Sequence, residues 1–297
     1  MAARPAPAQG RTVAGLEFSN PVLLASGTAG FGRELDGVID LDLLGGLVTK
    51  AVSLEPRAGN PPPRVAEFPG GMLNSVGLAN PGVEAVRDDC LPWLASRLHR
   101  ARVIVNVVGF REDEFARVIE RLDDVPPVAA WEINLSCPNT DRGGLEFGAE
   151  PGSVASVLAA CRSRTRKPIF AKLAPTLPDP GAMAVAARDA GADGVTVVNT
   201  MPGYLYRSGT DTPRLGQGHG GVSGPALLPV GVLAVRKVLE ATGGMPVIGV
   251  GGIRSADDAR QYLRAGATLV AIGTAGMADP RLPVRVAREL EVEPWRN

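Results

Sequence analysis

Asn134, Ser136, Cys137 and Asn139 fall within six residues, in the stretch Trp131-Glu-Ile-Asn-Leu-Ser-Cys-Pro-Asn139. Together they offer a thiol that can take a proton and amides that both donate and accept hydrogen bonds. A free thiol has a pKa of about 8.5, low enough to serve as a base near neutral pH where its surroundings help. The apolar run that carries them, Val128, Ala129, Ala130, Trp131, Ile133 and Leu135, reads as a buried strand. On it Asn134 and Ser136 share one face, and Ile133 and Leu135 take the other. Pro138 has no N–H to donate and holds the residue before it extended, so the spacing presents Cys137 at the C-terminal lip of a strand with Asn139 just beyond. The following residues, 140–148, include Gly143, Gly144 and Gly148 and read as a loop able to move over a ligand. Cys90 and Cys161 lie on apolar helix faces and read as packing residues. His99 and His219 have no partner pattern and read as solvated.

Other polar residues recur at the downstream ends of apolar runs: Ser26, Lys50, Asn106, Lys172, Asn199 with Thr200, Gly251-Gly252 and Gly273-Thr274. The glycines there, just before helices, suit a phosphate held by backbone N–H groups better than they suit a role in tight turns alone. Lys50 and Lys172 are expected to point into one mouth. A buried lysine needs an anion, which a ligand or a local carboxylate can supply. Asn74, Asn134, Asn139 and Asn199 suit a flat ligand with alternating C=O and N–H edges, although asparagine also serves in turns.

The elements that position these groups alternate along the chain. Eight strand-like runs begin near Pro21, Gly46, Arg102, Val128, Pro168, Gly194, Pro246 and Leu269. Helical patterns follow them, for example Phe115, Val118, Ile119 and Leu122 at i, i+3, i+4, i+7. A short helix is expected over Glu34–Ile39, and Pro92 is expected to kink the helix that carries Val83, Val86, Cys90 and Leu94. Two Pro- and Gly-rich stretches, 53–81 and 202–224, read as long loops, a type that is often functional. Ala190–Thr200 and Ala265–Thr274 form a faint repeat of glycine, buried strand and polar strand end. Eight βα units in one chain predict an α/β fold, a (β/α)8 barrel with inserted loops at the C-terminal face of the strands, where barrel active sites lie. A doubly wound open sheet is the alternative. Residues 1–12 read as a flexible tail and 13–297 as a single domain.

Lys+Arg and Asp+Glu are 31 each, so the balance argues against nucleic-acid or membrane-surface partners. Three cysteines are too few for a disulfide framework or for the four thiolates of an ordinary iron–sulfur cluster, and no metal site is expected. The chain shows no signal-peptide pattern and no membrane-length apolar run, which predicts a cytoplasmic location.

The motifs taken together resemble class 1 dihydroorotate dehydrogenases, FMN-dependent enzymes of pyrimidine synthesis. The resemblance rests on Ala25-Ser-Gly-Thr28, Thr49-Lys-Ala51, Asn74-Ser-Val-Gly-Leu-Ala-Asn-Pro81, Ile133-Asn-Leu-Ser-Cys-Pro-Asn139, Ala171-Lys-Leu173, Val198-Asn-Thr200, Gly221-Val-Ser-Gly-Pro225, Gly249-Val-Gly-Gly-Ile253 and Ile272-Gly-Thr274. It covers nearly the whole chain from about Val13. It implies that Cys137 is the base that removes the C5 proton of dihydroorotate while the flavin N5 takes hydride from C6. Lys50, Asn74, Ser75, Val76, Gly77, Leu78, Asn134, Asn139, Asn199 and Thr200 would hold the substrate. Ser26, Gly27, Thr28, Lys50, Ala51, Asn106, Asn134, Lys172, Val198, Gly224, Gly251, Gly252, Gly273 and Thr274 would hold FMN, with Lys172 near the ring to stabilise charge that develops on reduction.

Cysteine at 137, where membrane-bound class 2 enzymes use serine, points to class 1. The segment Thr140–Gly148 is more like the NAD-linked class 1B than the fumarate-linked class 1A. Class 1B implies a homodimer core joined by electron-transfer subunits carrying FAD and a 2Fe–2S cluster, a heterotetramer. No Gly-x-Gly-x-x-Gly opens a helix after a strand here, in keeping with an NAD site on a partner. Met201–Gly220 diverges from the family pattern. A dihydropyrimidine dehydrogenase-like activity is a neighbouring alternative, against which Asn139 argues. A phosphate-binding barrel without redox chemistry is the alternative of another class.

Overall fold

A computed structural model describes residues 10–136 and 147–292 of the chain. Eight parallel strands close into a barrel: β1 (Val22–Leu24), β2 (Gly46–Val48), β3 (Arg102–Val107), β4 (Val128–Asn134), β5 (Ile169–Leu173), β6 (Gly194–Val197), β7 (Val247–Val250) and β8 (Leu269–Ile272). Each pairs with its neighbour in chain order, and β8 closes on β1. The expected (β/α)8 architecture therefore holds, and the open-sheet alternative does not.

Strand parity sorts the core into two layers. Leu24, Leu47, Val105, Ile133, Ala171, Val195 and Ile272 face outward and pack with the helices. Leu23, Val48, Ile104, Ala130, Phe170, Ile248 and Leu269 fill the barrel interior. At the N-terminal end the hairpin Arg11–Val13/Leu16–Phe18 closes the bottom, burying Val13 and Phe18 against that interior layer. The hairpin takes in Arg11 and Thr12, two residues assigned to the tail on sequence. Because side chains alternate along a strand, polar residues two positions past an interior residue also face inward, nearer the C-terminal mouth.

Two helix faces read from sequence are the buried ones: Phe115, Val118, Ile119 and Leu122 on Glu112–Leu122, and Val154, Val157, Leu158 and Cys161 on Pro151–Arg162. On Leu227–Thr242 the face read as Leu228, Val232, Val235 and Leu239 is only half-buried apart from Val235, and Leu227, Gly231, Ala234 and Val238 are the buried residues beside it. Burial pushes the Cys161 thiol up to about 12, which suits a packing role. The helical stretch 83–97 is irregular where Pro92 was expected to disturb it: a π-turn spans Val86–Cys90 and a new α segment begins at Leu91. Over 34–39 the expected helix is only a 3-10 turn, Arg33–Leu35. Gly37 follows at φ +74°, outside the helical region.

The larger departure lies in the two Pro/Gly-rich stretches, which are not loops throughout. Val65–Phe68 and Gly71–Asn74 form a hairpin, Met201–Tyr204 and His219–Ser223 another, and the two join into one four-stranded antiparallel sheet. Among the described residues no helix is long and apolar enough to cross a membrane, and no group of three His, Cys, Asp or Glu could hold a metal ion.

Asp42 fastens the entry to β3. Burial acts to raise its carboxyl, but hydrogen bonds from the amides of Ala101, Arg100 and His99, at 2.9–3.1 Å, outweigh this and hold it below the usual carboxylate range. A depressed folded-state pKa contributes stability above the unfolded value, and that stability is lost as pH falls through the folded value. Asp42→Asn should therefore cost about 1–2 kcal/mol at pH 7 in urea unfolding. The gap to wild type should narrow as the pH is lowered below the ordinary carboxylate range.

Candidate active site

The site is built on consecutive strands. Relative to β3, β4 carries one extra residue: Val103 pairs with Val128, and Ile104 with Ala130. The offset at Ala129 lets Val128 pack outward with Val103 while Ala130 turns inward with Ile104. Trp131, outward and fully buried, fixes that setting, with its indole N–H 3.2 Å from Thr165 Oγ1. Glu132 and Asn134 follow Ala130 into the interior. Asn106 on β3 pairs with Glu132, and Lys172 on β5 stands opposite Asn134 and Thr196.

These residues form a buried polar cluster. Asn106 Nδ2 donates to Glu132 Oε1 at 2.6 Å, and Lys172 Nζ lies 3.3 Å from the same oxygen. The Lys172 and Glu132 side chains are 9% and 2% exposed, so this ion pair is shielded from solvent. Sequence reasoning left open what balances Lys172; a local carboxylate does. Asn106 Oδ1 and Thr196 Oγ1, on either side, are buried without a hydrogen-bond partner, as is Ser136 Oγ. Buried polar atoms of this kind ordinarily have partners, so the cluster presents free hydrogen-bonding capacity. Lys50 is half-buried two residues after interior Val48. Its amide donates to Gly30 O at 2.8 Å, and it makes no ion pair among the described residues.

The inserted sheet extends the site. Asn74, on the strand Gly71–Asn74, donates from Nδ2 to Gly221 O at 3.1 Å. A Cβ on Gly221 would collide with Thr200 Oγ1, so glycine there lets the Asn199-Thr200 segment come close. Asn199 Nδ2 in turn reaches Asn134 Oδ1 at 3.5 Å, and Asn199 Oδ1 accepts from the Thr200 amide at 2.8 Å. Thr200, Asn199 and Asn134 are thus joined by hydrogen bonds, and Asn74 reaches the backbone of Gly221, beside which Thr200 lies. Ser75 Oγ accepts from Asn60, while Gly77 and Leu78 take left-handed backbone (φ +71° and +57°) as the chain passes Val76 and leaves the sheet.

A second group lies across β7, β8 and β1. Gly251 and Gly252 follow β7 at φ +120° and +75°, and a Cβ on Gly252 would meet the Leu228 amide. The Tyr262 hydroxyl sits within hydrogen-bond distance of the Val250 and Gly251 carbonyls, at 3.0 and 2.7 Å, and holds that turn. Gly273 follows β8, and Thr274 Oγ1 donates to Ser223 Oγ at 2.7 Å, tying the barrel to the inserted sheet next to Gly224. Ser26 Oγ donates to Thr49 O at 2.8 Å, linking the Ser26–Thr28 turn to the Lys50–Ala51 segment. The Val198 amide donates to Val250 O at 3.0 Å.

A family model described as dihydroorotate dehydrogenase matches residues 10–293. The chain belongs to the dihydroorotate dehydrogenase family. Similar relatives bear one name, the catalytic subunit of dihydroorotate dehydrogenase B (NAD(+)). That of Desulforudis audaxviator is 49% identical over 279 residues, 94% of this chain and 90% of the relative. Those of Trichlorobacter lovleyi and Pelobacter propionicus are each 45% identical, covering 96% and 94% of this chain and 93% and 91% of their own.

Within this member of the dihydroorotate dehydrogenase family, Ser26, Lys50, Asn106, Asn134, Lys172, Val198 to Thr200, Gly251, Gly252, Gly273 and Thr274 lie at or just after the C-terminal ends of barrel strands. Asn74 and Gly224 belong to or follow the inserted sheet, and Cys137 and Asn139 lie outside the described residues. His99 and His219 are exposed. Three participants were missed: Glu132, Thr196 and Ser223. Glu132 carried a signal, a carboxylate inside an apolar strand in phase with Asn134. Ser223 stood in the motif Gly221-Val-Ser-Gly-Pro225 without being singled out, and Thr196 carried no signal, since threonine is ordinary in strands.

Proposed function

We propose that this chain is the catalytic subunit of an NAD-linked dihydroorotate dehydrogenase, oxidising dihydroorotate to orotate in pyrimidine synthesis. The observation that carries the reading is the buried Asn106–Glu132–Lys172 cluster, with Asn106 Oδ1 and Thr196 Oγ1 unpartnered, beside the Asn134–Asn199 contact. A flavin fits these groups. Its ring edge carries N–H and C=O in alternation, which answers unpartnered acceptor and hydroxyl groups and a lysine. The glycine turns at 251–252 and at 273, with Thr274, suit its phosphate.

Ser26, Gly27, Thr28, Lys50, Ala51, Asn106, Asn134, Lys172, Val198, Gly224, Gly251, Gly252, Gly273 and Thr274 would hold FMN. FMN, when bound, supplies the acceptor for the hydride leaving C6 of the substrate. Asn134, Asn139, Asn199 and Thr200, with Lys50 and Asn74–Leu78, orient the substrate's amide edges and carboxylate. Cys137 removes the C5 proton as its thiolate and so becomes a neutral thiol. The inserted sheet, tied to the barrel through Thr274 and Ser223, limits water at the mouth.

Electrons leave through a partner. The relatives' shared name, NAD-linked catalytic subunit, supports an electron-transfer subunit carrying FAD and a 2Fe–2S cluster, joined to a homodimer of this chain in a cytoplasmic heterotetramer. The test is anaerobic. After reduction by dihydroorotate, the isolated chain should be reoxidised by neither NAD nor fumarate, and by NAD once an electron-transfer subunit is added. Reoxidation by fumarate alone would assign the fumarate-linked class instead.

A further inference from the structure

Glu132 has no place in the roles set out above, yet it is the hub of the polar cluster. One carboxylate oxygen takes both the 2.6 Å hydrogen bond from Asn106 and the 3.3 Å contact from Lys172. Asn106 is fully buried and Glu132 is 1% exposed, so neither is screened by solvent. Shielded charges interact far more strongly than surface ones. The lysine that faces the mouth is therefore not a free ammonium but half of an ion pair whose other half is anchored on the neighbouring strand. The anchor is a matter of register. Glu132 pairs directly with Asn106 across β3–β4, and Lys172 stands on β5 at the level of Asn134.

We propose that Glu132 is a positioning residue for the flavin. Held by Asn106, it fixes the Lys172 ammonium and offsets part of its charge, and so sets how much positive potential Lys172 presents to the cofactor. The inference rests on the flavin reading of the site. Positive charge beside a flavin favours the electron-rich reduced form, and a carboxylate on the same lysine opposes that. Glu132 therefore keeps the bound flavin harder to reduce than Lys172 alone would make it. Such a setting suits a cofactor that must pass its electrons onward rather than keep them.

The test is the midpoint potential of FMN bound to the full chain, measured by dye equilibration, in wild type, Glu132→Gln and Glu132→Asp. Glutamine keeps the volume and an oxygen to accept from Asn106, and removes only the charge. The potential should rise in Glu132→Gln by at least a tenfold change in the reduction equilibrium, about 30 mV for a two-electron couple. Glu132→Asp, which keeps the charge, should lie nearer wild type. A role confined to packing would leave the isosteric Gln variant unmoved.

If Glu132→Gln does not retain flavin, Lys172→Gln is compared with Lys172→Gln/Glu132→Gln. The first leaves an unpaired carboxylate at the site and should have the lower potential; equal values would overturn the proposal. Wild-type chain that takes up no FMN would overturn the flavin reading and this inference together. Flavin-loaded wild type with an unshifted Glu132→Gln would overturn this inference alone.

Discussion

Cys137→Ala should bind FMN as wild type does and yet be reduced by dihydroorotate more slowly by about two to four orders of magnitude, the usual contribution of a positioned general base. Holding the flavin and removing the substrate proton fall to different residues. The groups assigned to the flavin, from Ser26 and Asn106 to Lys172 and Gly273, lie on or just after strands β1, β3, β5 and β8, which are other strands than the one leading to Cys137. The flavin spectrum of the variant should therefore be unchanged. The other polar side chains assigned to the substrate are the amides of Asn74, Asn134, Asn139 and Asn199, the hydroxyls of Ser75 and Thr200, and Lys50, which as an ammonium only donates, so the thiolate is the base best suited to take the C5 proton. Serine at 137 is a weaker base at neutral pH and should restore only part of the rate. The measurement is anaerobic stopped-flow bleaching of the flavin band. Unchanged reduction in Cys137→Ala would remove this residue from the chemistry.

The second large effect is on stability. Lys172→Met leaves Glu132 buried with Asn106 as its remaining partner, and breaking a buried pair from one side costs about 3–5 kcal/mol. Lys172→Met/Glu132→Gln buries no unpaired charge, and the oxygen of the introduced glutamine amide can still accept from Asn106. The double variant should therefore regain most of the loss, because replacing both members of a buried pair is often near neutral. Urea unfolding of the flavin-free chains measures both. A single variant as stable as wild type would mean that solvent reaches Glu132, contrary to its burial. The cost is electrostatic, so volume-matched Lys172→Met separates it from a packing defect.

The barrel was legible in the sequence because two simple periods carry it. Alternation along β3 and β5 divides Val105 and Ala171 from Ile104 and Phe170, and the i, i+3, i+4 spacing marks the helices that cover the outer set. The placement of polar residues at strand ends was legible for the same reason: Lys172, Asn106 and Asn134 stand near the C-terminal ends of their strands. The four-stranded sheet was not legible, because its pairings join segments far apart. Asn74 meets Gly221 across 147 positions, and strands rich in glycine and proline carry no alternation to mark them. The hub role of Glu132 was hidden for a related reason. It depends on the register of three strands and on the single extra residue, Ala129, that turns Glu132 inward. The short helix expected over 34–39 failed locally, at Gly37, whose backbone turns out of the helical region.

In the proposed function this chain, by itself, holds FMN and takes hydride from dihydroorotate. The most direct measurement is the visible spectrum of the purified, FMN-reconstituted chain under strict anaerobiosis before and after one equivalent of dihydroorotate. The expected result is a bound-flavin spectrum that bleaches, with orotate formed in proportion to the flavin lost. A chain that binds no flavin, or a bound flavin that dihydroorotate leaves oxidised, would contradict it.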